Sequence, residues 1–228
     1  MPAENYWFRR HLAVYEWLAA RCAGLDVVDM ACGEGYGAER LARRAATVVG
    51  IDANPEAHEH ARLKYTRAGL SFVRALVEDY EERCDAIVFL QTIEHLEAPE
   101  QALAHLRSIL RRGGAAYVST PNVLTLAPLG AERSDNPWHV REYRPAEFRA
   151  LCESAFERVS LLGLFHARRL RAHELALRAG WDSVHPRLGL TRPFYDRFVP
   201  AISSRDFALA REHERPLERA LDLIAVLR

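Results

Sequence analysis

The sequence predicts an α/β fold in which helices cover both faces of a mainly parallel sheet, and three observations carry the prediction. Short apolar runs alternate with helical segments over most of the 228 residues, the first run ends in a glycine-rich loop, and Asn-Pro or lone Pro residues mark the helix starts. Tyr6, Trp7, His11, Leu12, Tyr15 and Leu18 recur at helical spacing, predicting a leading amphipathic helix over 6–22. A strand over 25–30, a helix over 37–45, a strand over 46–51 and a helix after Asn54-Pro55 follow, giving the order βαβα. Further strands are predicted near 70–75 and at 84–90. Pro99 opens a helix to about Arg111, ended by Gly113-Gly114, and a fifth strand covers Ala115 to Ser119. A loop over 127–145, a helix over 146–154 and a strand over 157–165 come next, with a last strand over 221–227. Between these, 166–220 reads as a mainly helical insertion over the substrate mouth: a helix at 167–179, a Pro-punctuated stretch to Pro200 and a further segment around Asp206 to Ala210. The whole of 1–228 reads as one domain, with 1–22 as an N-terminal helix or lid.

Composition narrows the function classes. Thirty-one basic residues are scattered among 31 acids with no net charge, so no basic face for nucleic acid or anionic membrane is expected. No signal-like start or bilayer-length apolar run is present, which predicts a cytoplasmic protein without a membrane partner. Cys22, Cys32, Cys84 and Cys152 lack CxxC spacing and sit in apolar elements, as reduced core thiols do. Lys64 is the one lysine, so the Tyr-x-x-x-Lys pair of short-chain dehydrogenases is absent.

The chemistry begins at Val27-Val28-Asp29-Met30-Ala31-Cys32-Gly33-Glu34-Gly35-Tyr36-Gly37, where an apolar strand ends in an acid and a loop of small residues leads into a helix. Gly33 and Gly35 let the backbone approach a ligand closely, and helix N–H groups face it, as in a nucleoside-cofactor loop. Asp52 closes the second strand where a ribose would lie. Gly33 to Ala38 also satisfies the GxGxxG/A fingerprint of dinucleotide enzymes, so a nicotinamide-dependent oxidoreductase is the rival class. Asp29, Met30, Ala31 and Cys32 intervene before the first glycine, however, and Asp29 would repel a pyrophosphate while suiting an amino-acid ammonium. The loop therefore fits S-adenosylmethionine (SAM) better.

Together with Gly50-Ile51-Asp52, Cys84-Asp85-Ala86-Ile87-Val88, Ile93-Glu94-His95-Leu96 and Leu110-x-x-Gly-Gly before Ser119-Thr120-Pro121-Asn122, these residues resemble the class I SAM-dependent methyltransferases over about 25–165. The resemblance implies a Rossmann-like seven-stranded sheet in the order 3214576, its last strand antiparallel. It also implies cofactor contacts from Asp29, Ala31, Gly33, Gly35, Asp52, Ala53, Leu76, Val77 and Gln91. Ala31 stands where the family often has glycine, which its methyl tolerates at negative φ. Leu76 stands where many relatives place an acid or amide near the adenine, leaving backbone groups near Leu76 and Val77, or a neighbouring side chain, to recognise it. Glu4 to His11, Asn136 to Glu142, Gly163 to His166 and Leu221 to Ala225 are further similar to actinobacterial methyltransferases of methylglucose lipopolysaccharide and methylmannose polysaccharide pathways, which implies a saccharide hydroxyl as acceptor. A lipid, quinone or natural-product scaffold is the alternative.

A sugar hydroxyl needs a general base, and His95 and His139 both fall in loops at predicted strand ends, with Glu94 beside the first; the alternatives are that His95 packs against the helix start at Pro99 and bonds a backbone carbonyl, and that His139 anchors its loop. Trp138, Glu142, His166 and Asn122 are the candidate acceptor contacts. Glu94, His95 and His139 also resemble the metal set of small-RNA 2′-O-methyltransferases, implying a divalent ion such as magnesium, although Gln91 stands where that family has a further glutamate. Tyr6, Trp7, Arg10 and His11 form a candidate lid, in which an arginine meets the cofactor carboxylate; the alternative, adopted for Trp7 and Tyr15, is an aromatic stripe packed on the sheet. His58, His60, His105, His173, His185 and His213 are expected on surfaces. The expected partner is a small-molecule or oligosaccharide acceptor, with a homodimer left open.

Overall fold

The computed structural model describes residues 2–128 and 131–228, so positions 129 and 130 of the expected 127–145 loop lie outside the described residues. The strands are β1 (Asp26–Met30), β2 (Thr47–Ile51), β3 (Leu70–Val73), β4 (Cys84–Leu90), β5 (Leu110–Pro121), β6 (Val159–His166), β7 (Phe207–Arg211) and β8 (Asp222–Leu227). The helices are α1 (Pro2–Arg21), α2 (Tyr36–Ala42), α3 (Pro55–Lys64), α4 (Pro99–Ile109), α5 (Val123–Leu126), α6 (Pro145–Glu153), α7 (Arg168–Arg178), α8 (Trp181–Val184) and α9 (Thr191–Phe198).

All eight strands form one sheet in the order β3-β2-β1-β4-β5-β8-β6-β7. The expected seven-strand order is contained within it, with β8 taking the antiparallel place between β5 and β6. The correction is one added edge strand. β7 pairs antiparallel with β6, from His166↔Phe207 to Leu162↔Arg211. Phe207-Ala-Leu-Ala-Arg is too short, and too close to a helical, Pro-interrupted stretch, for its alternation to stand out.

Two smaller differences have local causes. α4 ends at Ile109, ahead of the expected Gly113-Gly114 stop, and β5 begins at once because Leu110 pairs with Cys84 across a register shift. The glycines thus lie inside the extended chain. At Asn54 the expected cap forms as written, its side chain accepting from the Glu56 and Ala57 amides before Pro55 opens α3.

Alternation along the strands produces two cores, one on each face of the sheet. Val28, Met30, Ile87, Phe89, Ala116 and Val118 pack with α4 and α6, whereas Val27, Ala86, Val88 and Tyr117 pack with Tyr15, Leu18 and Leu41 of α1 and α2. Asp29 shares the parity of Val27 and is therefore driven under α1. The four cysteines are free and buried, as expected, and burial raises each thiol pKa. Among the described residues no helix is long and apolar enough to cross a membrane.

Candidate active site

The carboxyl ends of β1, β2, β4 and β5 and the start of β8 meet on one edge of the sheet, the edge at which open α/β sheets take ligands. Two non-glycine residues there have left-handed backbones: Ala31 just past β1, with φ 55, and Gln91 just past β4, with φ 52. Ala31 thus departs from the negative φ expected of it. Backbone strain of this kind concentrates at functional sites.

The glycine loop divides its work. Gly33 donates its amide to Asp52 at 2.7 Å, and a Cβ placed on Gly33 would meet nothing, so this residue faces open space. The second Asp52 oxygen accepts from the Asn54 amide, so the carboxylate joins the β1 and β2 loops. Gly35, with φ 80, starts α2. Gly37 serves packing: a Cβ there would lie 2.1 Å from the Tyr15 ring. Ala53 and Leu76 are exposed, and Val77 is half-buried at the start of a short turn; they follow the ends of β2 and β3, which the Asp52 amide joins by donating to the Val73 carbonyl, and form an open shelf past those strand ends. Gln91 donates its backbone and side-chain amides to the Ser119 hydroxyl.

The leading helix is held in part by polar contacts that local sequence does not reveal. The Tyr15 hydroxyl donates to Asp29 at 3.1 Å, and complete burial pushes the Asp29 carboxyl up to about 8. Arg10, the candidate carboxylate clamp, is instead committed to a buried fork with Asp222 and also donates to the Leu221 carbonyl. The Tyr6 hydroxyl bonds His166 Nε2 at 2.7 Å, far from the glycine loop. His11 is buried against the Tyr36 hydroxyl, and burial lowers it to about 4. Trp7, expected to pack on the sheet, is half exposed over the Arg10 guanidinium, whereas Tyr15 is packed as expected. Trp7, Phe8, His11, Tyr36 and Gln91 border a cavity of about 310 Å³ between α1 and the strand ends.

Beyond β4, the two candidate bases differ in what their ring nitrogens do. His95 Nδ1 lies 2.8 Å from the Trp138 carbonyl, an acceptor only, so Nδ1 carries the proton and Nε2 presents a lone pair from a half-exposed ring. His139 is buried with both nitrogens engaged, Nδ1 by Glu142 at 2.6 Å and Nε2 by the Asn136 amide at 2.9 Å. Glu142 also accepts from the Ser134 amide and hydroxyl, so its carboxylate faces into the loop rather than toward a ligand. Glu94 ties this loop to β4, its carbonyl accepting from the Val140 and Arg141 amides. Its own carboxyl is buried, Oε2 has no partner among the described residues, and desolvation, with the charges of Asp222 and Glu142 adding, raises it to about 8. Ligand atoms of Glu94, His95 and His139 lie within 4.8 Å of one another.

The candidate acceptor contacts separate. Trp138 is 77% exposed beside His95. His166 lies across β8 from it, lining a second cleft. Asn122 is fully enclosed, its amide bonded to the Leu217 and Ala220 carbonyls and its oxygen to the Leu124 amide, which makes it a brace for the chain entering β8. His185, expected on the surface, is buried against the Thr191 hydroxyl. Asp222, Tyr15 and Asn136 were not foreseen as site residues; only the helical spacing of Tyr15 hinted at its inward face.

Comparison with known proteins fits this geometry. A family profile described as a methyltransferase domain matches residues 28–118. A probable S-adenosylmethionine-dependent methyltransferase of Mycolicibacterium smegmatis is 38% identical over 99% of this chain and 90% of its own. The chain belongs to the SAM-dependent methyltransferases. A ubiquinone biosynthesis O-methyltransferase of Azoarcus is 30% identical over 65% of this chain and 72% of its own. The fold is also that of a SAM-dependent methyltransferase from Thermotoga maritima, at a TM-score of 0.62 and 15% identity, covering 99% of this chain and 93% of the other.

The methyltransferase cofactor can be tested against the residues themselves. Open space over Gly33, the half-exposed Asp52 carboxylate and the shelf of Ala53, Leu76 and Val77 offer a cradle for a nucleoside. When bound, SAM supplies the electrophilic methyl group.

Proposed function

We propose that this methyltransferase acts on an oxygen, the hydroxyl of a saccharide or a related small molecule, with His95 as the general base. The observation that carries this reading is the His95 tautomer: Nδ1 is held by the Trp138 carbonyl, so Nε2 is a fixed, accessible acceptor at the end of β4. A hydroxyl placed against Nε2 loses its proton there as it is methylated. His139, with both nitrogens bonded, positions the loop that positions His95. The exposed indole of Trp138 gives a sugar ring an apolar face to stack on. Asp52 with Gly33 binds the ribose side, Leu76 and Val77 the adenine, and Gln91 with Asp29 the amino-acid end. An ammonium set against Asp29 favours its ionised form and offsets the burial that now favours its proton.

Titration with S-adenosylhomocysteine tests the first step, and labelled SAM offered to a panel of mono- and oligosaccharides tests the second. Failure to bind the homocysteine product at micromolar concentration overturns the cofactor assignment. Label appearing only on quinols or lipids favours the alternative acceptor, for which the named activity of the Azoarcus relative is the support.

A second reading concerns a cation. The proximity of Glu94, His95 and His139 favours it, since a carboxylate and two imidazoles can ligate a divalent ion that lowers the acceptor hydroxyl's pKa. That donor set suits zinc or manganese better than magnesium, which prefers oxygen ligands. Metal analysis of the purified protein, with activity before and after chelation, separates this reading from a base-only site.

A further inference from the structure

A second cleft of about 790 Å³ opens on the same edge of the sheet, between α7, the end of β6 and the chain entering β8. Its volume is in the range that takes a whole small ligand. Leu221 forms part of its wall, and the adjacent Asp222 lines the cavity under α1, so the two cavities flank the β8 entry, with the Arg10 guanidinium bonded to both residues. Asp222 is also close enough to Glu94 to raise its pKa. The cleft opens at the same end of the sheet as the proposed reaction centre, across β8 from the glycine loop.

The lining of this cleft is basic, as is that of a groove between α1 and α2 whose Arg40 is paired with Glu16. Arg171, Arg178, Arg215 and Arg219 converge on it against only Glu174 and Glu218. Glu174 is occupied, with Arg178 at 2.6 Å and His166 at 3.5 Å. Arg171, Arg215 and Arg219 make no ion pair with a carboxylate among the described residues, and Arg215 lies over the Phe165 ring, which restricts its freedom. Three guanidiniums lining one cleft from two separate segments give it a positive potential that favours an anion. Their planar forks match the two oxygens of a carboxylate or phosphate.

We infer that this cleft binds a negatively charged group of the acceptor, a carboxylate or a phosphate monoester, and so selects anionic over neutral acceptors. The inference rests on the acceptor-hydroxyl reading above. It adds that the acceptor's charge is held by Arg171, Arg215 and Arg219, remote from the hydroxyl that reacts.

The test measures binding rather than turnover. Inorganic phosphate, glucose, glucuronate and glucose 6-phosphate are titrated into wild type and into Arg171→Gln/Arg219→Gln, following arginine side-chain NMR signals with and without S-adenosylhomocysteine. Both substituted residues are exposed, and thermal melts check that the variant stays folded. Glucuronate or glucose 6-phosphate should bind roughly tenfold or more tightly than glucose, and the double substitution should abolish that preference while leaving S-adenosylhomocysteine affinity unchanged. The carboxylate and phosphate arms identify which anion is preferred. Equal binding of charged and neutral probes, a preference surviving the substitution, or no saturable binding of any anion at tens of millimolar overturns the inference. Loss of S-adenosylhomocysteine binding alone overturns the cofactor assignment instead, because the phosphate titration reads the cleft without it.

Discussion

The two halves of the sheet edge are built by different means. From β1 to β4, ligand-facing groups come from a short stretch of backbone: Gly33, the Asp52 carboxylate that holds its amide, and the strained turns at Ala31 and Gln91. From β5 to β8, the site is assembled by side chains that arrive from far away, such as Arg10 and Asp222, 212 residues apart. The first half can be altered only where backbone conformation allows. On the proposed reading, the second could change its acceptor by exchanging side chains on α7, the 136–142 loop and the β8 entry without disturbing the glycine loop.

The largest expected effect that separates the halves is on turnover. His95→Gln removes the Nε2 base and should lower kcat by roughly a hundredfold to ten-thousandfold, with S-adenosylhomocysteine affinity unchanged by calorimetry. An equal fall in cofactor affinity would mean that His95 supports the first half of the site and does not act in the second.

Next in size is the bolt between α1 and β8. Arg10→Met leaves the buried Asp222 carboxylate without its partner and should cost about 3–5 kcal/mol in urea unfolding, whereas Arg10→Met combined with Asp222→Leu should regain much of that loss. If the single variant is nearly neutral, the Arg10–Asp222 pair is not what holds α1 in place.

A smaller effect spans both halves and depends on pH. Asp29 and Glu94 bind their protons more tightly in the folded chain, at about 8, than in the unfolded chain, at about 4. The folded state therefore carries more protons between these values, and unfolding free energy falls as pH rises through that window. His11 acts oppositely, being lowered to about 4 from an unfolded value near 6.5, so it makes stability rise with pH below that point. Only between about pH 6.5 and 8 do the carboxylates act unopposed, and there the ligand-free protein should lose about 3 kcal/mol from the two together. Asp29→Asn or Glu94→Gln should each flatten part of the slope in thermal melts. Stability that rises over this window would show that neither carboxyl keeps its proton.

How legible each half was in the sequence follows from the same contrast. The strands, the Asn54 cap and the glycine loop are local patterns, and all appear close to their expected positions. β7 escaped because five alternating residues beside a Pro-rich stretch give too little period to detect. Proximity of Glu94, His95 and His139 could be anticipated, but not which nitrogen each ring offers, since that is set by Trp138 and Asn136 through the fold of a loop. Arg10 and Asn122 have residue types that suit ligands. Their distant partners, Asp222 and the Leu217 and Ala220 carbonyls, had no signature near them in the chain.

The smallest effect probes the strain in the backbone-built half. Ala31 holds φ 55 with a methyl group where glycine would be at ease. Ala31→Gly removes a left-handed penalty of about 1–2 kcal/mol, but it frees the unfolded chain and gives up the methyl's contact with the core under α4. The net change in urea unfolding should be a gain of about 0.5–1 kcal/mol, with S-adenosylhomocysteine binding at least as tight. The same exchange at Gln91, φ 52, should give a similar gain in stability but weaker ligand binding, because Gln91 brings a side-chain amide to the site and Ala31 brings none. Loss of stability in both variants would mean that packing, and not conformational strain, governs the turns after β1 and β4.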